Sequence, residues 1–260
     1  EMKSRHLGLV MGFEEKHDIA ALAAWVEGHA EIDRMLKLSA PIPAFQGKAS
    51  PRKKAVRLGV AMDEAFCFYY YDNLLELERC GAELVYFSPI RDSLPDVDGL
   101  YLGGGYPELH APALEKGSAK RQIKEASENG MPIYGECGGL MYLGEELVME
   151  TARYKMAGGL PGSTIMTGKL VALGYARAEA VEHNPLAGVG RSILGHEFHY
   201  SRFECDRDAR FAYRMSRGGG IYEGRDGLVE HNTLGAYLHA HFFSLSSEHL
   251  IEQCQIYKRT

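Results

Sequence analysis

The segment Gly135-Glu136-Cys137-Gly138-Gly139 concentrates the residue types that could do chemistry. It places a thiol between glycines. An apolar run, Met131-Pro132-Ile133-Tyr134, precedes it, and Leu140-Met141-Tyr142-Leu143, the start of a helical pattern, follows. Gly-x-Cys-x-Gly between strand and helix has the layout of a nucleophile elbow with sulfur in place of oxygen. The glycines permit a tight turn that leaves the central side chain accessible. At a helix start the dipole favours thiolate, and the Gly138 N–H is placed to stabilise an oxyanion. The competing reading is a buried structural cysteine in a Gly-rich turn.

A thiol nucleophile needs a base, usually a histidine brought close by the fold. The stretch 234–243 reads as a late strand carrying His239 and His241 near its end, on one face by their spacing of two. A second dense cluster is Gly195-His196-Glu197-Phe198-His199-Tyr200, which lacks the helical His-Glu-x-x-His spacing of a zinc protease. No Cys or carboxylate completes a ligand set around His239 and His241, so no metal is expected. Gly103-Gly104-Gly105-Tyr106-Pro107-Glu108 follows another strand pattern. Three glycines let backbone amides approach a ligand, which suits an oxyanion hole or a carboxylate cradle. No phosphate-binding Gly-Lys-Ser/Thr loop occurs in the chain.

Alternating short strands and helices must hold these residues. Strands are predicted at 56–62, 84–87, 98–102 and 131–135, with helices at 73–80 (closed by Gly81) and 111–129. That alternation implies an α/β fold, a mostly parallel central sheet with helices on both faces. From about residue 160 the texture becomes β-rich, as if returning strands flank the sheet. Asp18 caps a further predicted helix beginning at Ile19. A Pro- and Lys/Arg-containing stretch at 41–54 reads as a linker, dividing the chain into 1–54 and 55–260.

Composition narrows the function classes. The 260 residues are 45% hydrophobic and 25% charged, ordinary for a soluble globular chain. A net charge of −6 argues against nucleic acid as a partner, and no apolar run is long enough for a membrane span. Five scattered cysteines without a Cys-x-x-Cys pair fit reduced thiols in a cytoplasmic protein.

Taken in order, five motifs resemble one family. They are Phe66-Cys67-Phe68-Tyr69-Tyr70-Tyr71-Asp72-Asn73-Leu74, the segment from Leu100 through Gly103-Gly104-Gly105 to Leu109, the elbow from Tyr134 to Leu143, Gly195–Ser201, and Tyr237-Leu238-His239-Ala240-His241-Phe242. The set is similar to the C-terminal class I glutamine amidotransferase domain of cobyrinic acid a,c-diamide synthases, the cobyric-acid-synthase-like type, whose architecture is flavodoxin-like. The resemblance implies glutamine as substrate, Cys137 as nucleophile and His239 as its base. It makes Gly104, Gly105, Gly138 and Tyr106 the oxyanion and substrate-binding set. No cofactor is implied for this chain. ATP, Mg²⁺ and the corrinoid acceptor would belong to an N-terminal ATP-binding half, whose tail the first residues resemble; the initial Glu and the absent phosphate loop fit a domain of a longer enzyme.

One departure stands out. Class I amidotransferases usually carry His-Pro-Glu, the Glu orienting the His, whereas here the stretch is His239-Ala240-His241. Either a Cys–His dyad suffices, or His241 or a distant acid orients the imidazole. Within the family the acceptor could instead be hydrogenobyrinate or nickel-sirohydrochlorin. Outside it, the alternatives are a non-catalytic docking domain with this fold and a free Cys-dependent hydrolase.

Overall fold

The computed structural model describes residues 18–39, 52–206 and 208–259. The chain divides into two compact units, residues 1–49 and 50–260. In the first unit, α1 (Ile19–His29) starts at Asp18, whose Oδ1 accepts from Ala21 N at 3.0 Å, and α2 (Ile32–Leu38) follows. The linker expected at 41–54 lies, through residue 51, outside the described residues.

The second unit opens as predicted, strand against helix. β1 (Val56–Ala61), β2 (Phe66–Phe68), α3 (Tyr71–Arg79), β3 (Ala82–Phe87), β4 (Gly99–Leu102) and β5 (Gly104–Gly105) come first. Then α4 (Ala111–Lys116), α5 (Ala119–Glu128), β6 (Ile133–Glu136) and α6 (Gly138–Leu143) lead to the candidate nucleophile. β3, β1, β4 and β6 pair in parallel in that order. Their residues alternate between two cores. Leu100, Leu102 and Ile133 pack on one face, and Leu58, Val60, Tyr101 and Tyr134 on the other. Burial on both faces is why these strands read as continuous apolar runs.

The single helix predicted at 111–129 is two. A Cβ at Gly117 would meet the Pro89 carbonyl oxygen at 2.4 Å, so the chain turns there against the preceding loop and α5 restarts at Ala119.

After α6 the chain becomes β-rich. β7 (Glu146–Val148), β8 (Arg153–Lys155), β9 (Ser163–Met166) and β12 (Ser201–Glu204) form a separate four-stranded sheet. β10 (Ala172–Ala180), β11 (Ser192–His199), β13 (Phe211–Arg217), β14 (Arg225–Glu230), β15 (Thr233–Ala236) and β16 (His239–Ala240) extend the main sheet to ten strands, ordered β16-β11-β10-β13-β14-β15-β6-β4-β1-β3. The chain closes with α7 (Glu248–Tyr257).

The late strand predicted at 234–243 is therefore interrupted. β15 pairs with β6, while β16 pairs with β11 at the far edge of the same sheet. Only Tyr237 and Leu238 join them, a reach of about 10 Å. Five strand spacings in a flat sheet would be about 24 Å. The antiparallel half must therefore curl until its edge returns to the nucleophile strand. Asp226 fixes the crossing: its carboxylate accepts from Tyr237 N at 3.0 Å and Leu238 N at 2.9 Å.

Candidate active site

Cys137 lies between β6 and α6 with φ 46° and ψ −93°. A left-handed φ on a non-glycine residue costs on the order of 1–3 kcal/mol and persists only where its surroundings dictate it. Here Cys137 N donates to Ala236 O at 2.7 Å, and Cys137 O accepts from Met141 N at 2.9 Å. The elbow glycines serve a purpose other than the strained turn expected of them. Gly135, Gly138 and Gly139 are absent from the left-handed region. A Cβ on Gly139 would lie 2.1 Å from Leu102 O, and one on Gly135 would lie 2.6 Å from Leu143 Cδ1. The strain sits on the cysteine, and the glycines let α6 lie directly on the sheet.

The curl brings His239 to that sulfur. His239 Nδ1 lies 3.7 Å from Glu136 Oε2, an ion-pair distance, and its imidazole interacts electrostatically with the Cys137 side chain. Burial pushes the His239 imidazole down, but its interactions with Cys137 and Glu136 outweigh it and hold it up to about 10. The arrangement thus keeps a proton on the imidazole next to the sulfur. Cys137 is only 7% exposed, with Sγ 3.8 Å from the Phe198 carbonyl oxygen.

The three-glycine strand closes another side. A Cβ on Gly104 would fall 2.5 Å from His239 Cε1, one on Gly105 would fall 2.1 Å from Ala65 O, and one on Gly103 would meet the Tyr69 ring at 2.5 Å. Each glycine is thus required by a different neighbour. Gly138 packs on the same strand, its Cβ direction ending 3.1 Å from Gly105 N. Cys137, His239, Gly104, Gly105 and Gly138 are accordingly gathered at one place.

Two sequence candidates lie differently. Tyr106 is fully buried, its ring edge-on to Phe68, and supports the glycine strand from within the core. His241 is not on a strand with His239; it precedes a short 3-10 turn, and its ring packs against Tyr70 and Phe243.

The structure adds residues that sequence reading passed over. Glu136 was only the variable position of Gly-x-Cys-x-Gly. His196, part of the second histidine cluster but given no role there, stacks on His239 from β11 with centroids 4.6 Å apart, and its Nδ1 lies 2.7 Å from the Tyr70 hydroxyl. The alternation of β11 was the available signal: His196 and Phe198 share one face, Glu197 and His199 the other. Glu197 is structural, accepting from the backbone N–H groups of Gly219 and Gly220. Among the described residues no group of three or more His, Cys, Asp or Glu could hold a metal ion, and no helix is long and apolar enough to cross a membrane.

A curled, mixed sheet of this kind is the fold of class I glutamine amidotransferases. Solved structures agree on the fold: PurLQS from Thermotoga maritima superposes with a TM-score of 0.55 at 19% identity, covering 80% of this chain and 100% of that one. The crystal structure of a glutamine amidotransferase gives a TM-score of 0.52 at 14% identity, covering 78% of this chain and 99% of its own. Residues 57–246 match the model of the CobB/CobQ-like glutamine amidotransferase domain, and the chain belongs to that family. Its relatives include the cobyrinate a,c-diamide synthases of Archaeoglobus fulgidus, 43% identical across 94% of this chain, and of Methanosarcina barkeri, 42% identical across 93%. In each case the match takes in 55% of the relative, so the chain spans about half the length of the curated relatives it matches.

Proposed function

We propose that this chain is the glutaminase part of an ATP-dependent cobyrinate a,c-diamide synthase, supplying ammonia for amidation of the a and c carboxylates of a corrin. The observation that carries the reading is the strained Cys137 turn after β6, packed through Gly138 on the Gly104–Gly105 strand that His239 also touches.

The Cys137 thiolate attacks the side-chain amide carbon of glutamine. The carbonyl oxygen becomes an oxyanion held by backbone amides around Gly104, Gly105 and Gly138. His239 gives its proton to the departing nitrogen, which leaves as ammonia, and a γ-glutamyl thioester remains. Water then attacks the thioester carbon while His239 takes its proton. Collapse expels the thiolate and releases glutamate. The amidation that consumes the ammonia, with ATP, Mg²⁺ and the tetrapyrrole, falls to the remaining length of the relatives. The glutaminase chemistry is the same for cobyrinate, hydrogenobyrinate or nickel-sirohydrochlorin.

The test is ammonia release from glutamine, with and without an added ATP-binding half, ATP and corrinoid acceptor. Turnover that vanishes in Cys137→Ala is expected. No turnover and no labelling of Cys137 by a glutamine-analogue electrophile, even with the complete set present, would favour a docking domain instead.

A further inference from the structure

We propose that Glu136, the residue immediately before the nucleophile, is the positioning acid for His239, filling from the strand side the role that His-Pro-Glu motifs assign to a residue after the histidine. The proposal rests on the catalytic reading above.

Glu136 is 1% exposed, in the core beneath the elbow. Its Oε1 accepts from the Tyr134 hydroxyl at 2.8 Å and from Ala240 N at 3.1 Å, and its Oε2 accepts from the Tyr101 hydroxyl at 2.9 Å. The remaining neighbour is His239 Nδ1, 3.7 Å from Oε2. All four can donate to its oxygens. One carboxylate thus holds the ring of His239 with one oxygen and the amide of the next residue with the other.

That double hold matters because β16 is two residues long and lies at a sheet edge. Its pairing to β11 covers only Ala240 and His239, and Asn73 supplies the next restraint by donating to Ala240 O at 2.8 Å. With Nδ1 facing Glu136, Nε2 is left for the sulfur, the tautomer that general-base chemistry requires. The position that completes His-Pro-Glu is occupied here by His241, whose ring packs on Tyr70 and Phe243. Glu136 therefore fills a vacant role by geometry.

The test compares wild type with Glu136→Gln, which keeps the shape, and Glu136→Asp, which keeps the charge. Two readouts apply: glutamine hydrolysis with the partner half present, and the titration of His239 followed by NMR in this chain alone. The other titratable groups acting on His239 are Cys137 on the elbow, His196 stacked on it and, across β11, His199; Tyr101 and Tyr134 bond to Glu136, with Tyr69, Tyr70 and Tyr213 in reach of its charge. These stay in place across the variants, so a shift belongs to the carboxylate.

Glu136→Gln is expected to lower kcat about a hundredfold or more with KM for glutamine little changed. Its His239 should titrate at least about one pH unit lower, and the alkaline limb of the rate profile should move down with it. Glu136→Asp should recover part of both. Activity loss in Glu136→Gln with an unmoved His239 titration would overturn the proposal, as would wild-type kcat. If wild type itself fails to hydrolyse glutamine, the functional reading falls, while the NMR titration still decides whether Glu136 governs His239.

Discussion

The imidazole of His196 stacks on that of His239, ring centroids 4.6 Å apart and planes 9° from parallel. Two charged rings at that spacing repel strongly, so only one ring of the pair carries a positive charge. His239 holds it, with its pKa up at about 10, whereas burial and the His239 charge push His196 down to about 4. NMR titration should find His239 charged and His196 neutral from about pH 5 to about pH 9. In His239→Ala, His196 should titrate higher. The reverse assignment would remove the acid–base role of His239.

The same shift predicts a stability profile. The folded-state pKa of His239 is raised from the ordinary 6.5 to about 10. Its contribution is therefore fully present below about pH 6.5 and lost as pH rises through about 10. Urea unfolding should reveal stability falling over that window, with the His239 part of the slope absent in His239→Ala. The buried thiols of Cys80 and Cys254 and the half-buried Cys205, all raised by desolvation, add an alkaline loss that persists in the variant.

Cys137→Ala and His239→Ala should each abolish glutaminase activity, the first by removing the thioester and the second by removing the proton carrier. His241→Ala should retain most of it, because that ring packs beside Tyr70 and Phe243. Full activity in His239→Ala would sink the assignment.

Adjacent glycines should fail in different ways. In Gly104→Ala the methyl would press on the His239 ring, so kcat should fall while the fold survives. In Gly105→Ala the methyl would meet the Ala65 carbonyl within a β2–β5 pair, so thermal stability should fall as well. Paired melting and activity curves distinguish them.

Asp226→Asn should cost about 1–3 kcal/mol, since an amide NH₂ would face a backbone N–H of Tyr237 or Leu238. Because those residues lead into His239, activity should fall further than stability alone explains. Denaturant midpoints beside kcat test this.

The legible parts of the site were the local ones. Gly-x-Cys-x-Gly sits on consecutive residues, and the alternation of strand and helix up to Leu143 follows from apolar runs closed by Gly and Pro. Glu136 was on the page from the start, yet its role depends on Ala240 and His239, over a hundred residues later. The interrupted strand at 237–238 escaped for a similar reason: Asp226 imposes the break, and neither Tyr237 nor Leu238 is a breaker in itself. Helix 111–129 was split at Gly117-Ser118, where a weak helix former meets the Pro89 carbonyl.

The nucleophile amide is bonded to Ala236, the last residue of β15, and His239 follows three positions later. Thiol and imidazole therefore hang from one anchor and travel as one body when the sheet breathes. Thermal motion shared by both leaves their separation unchanged.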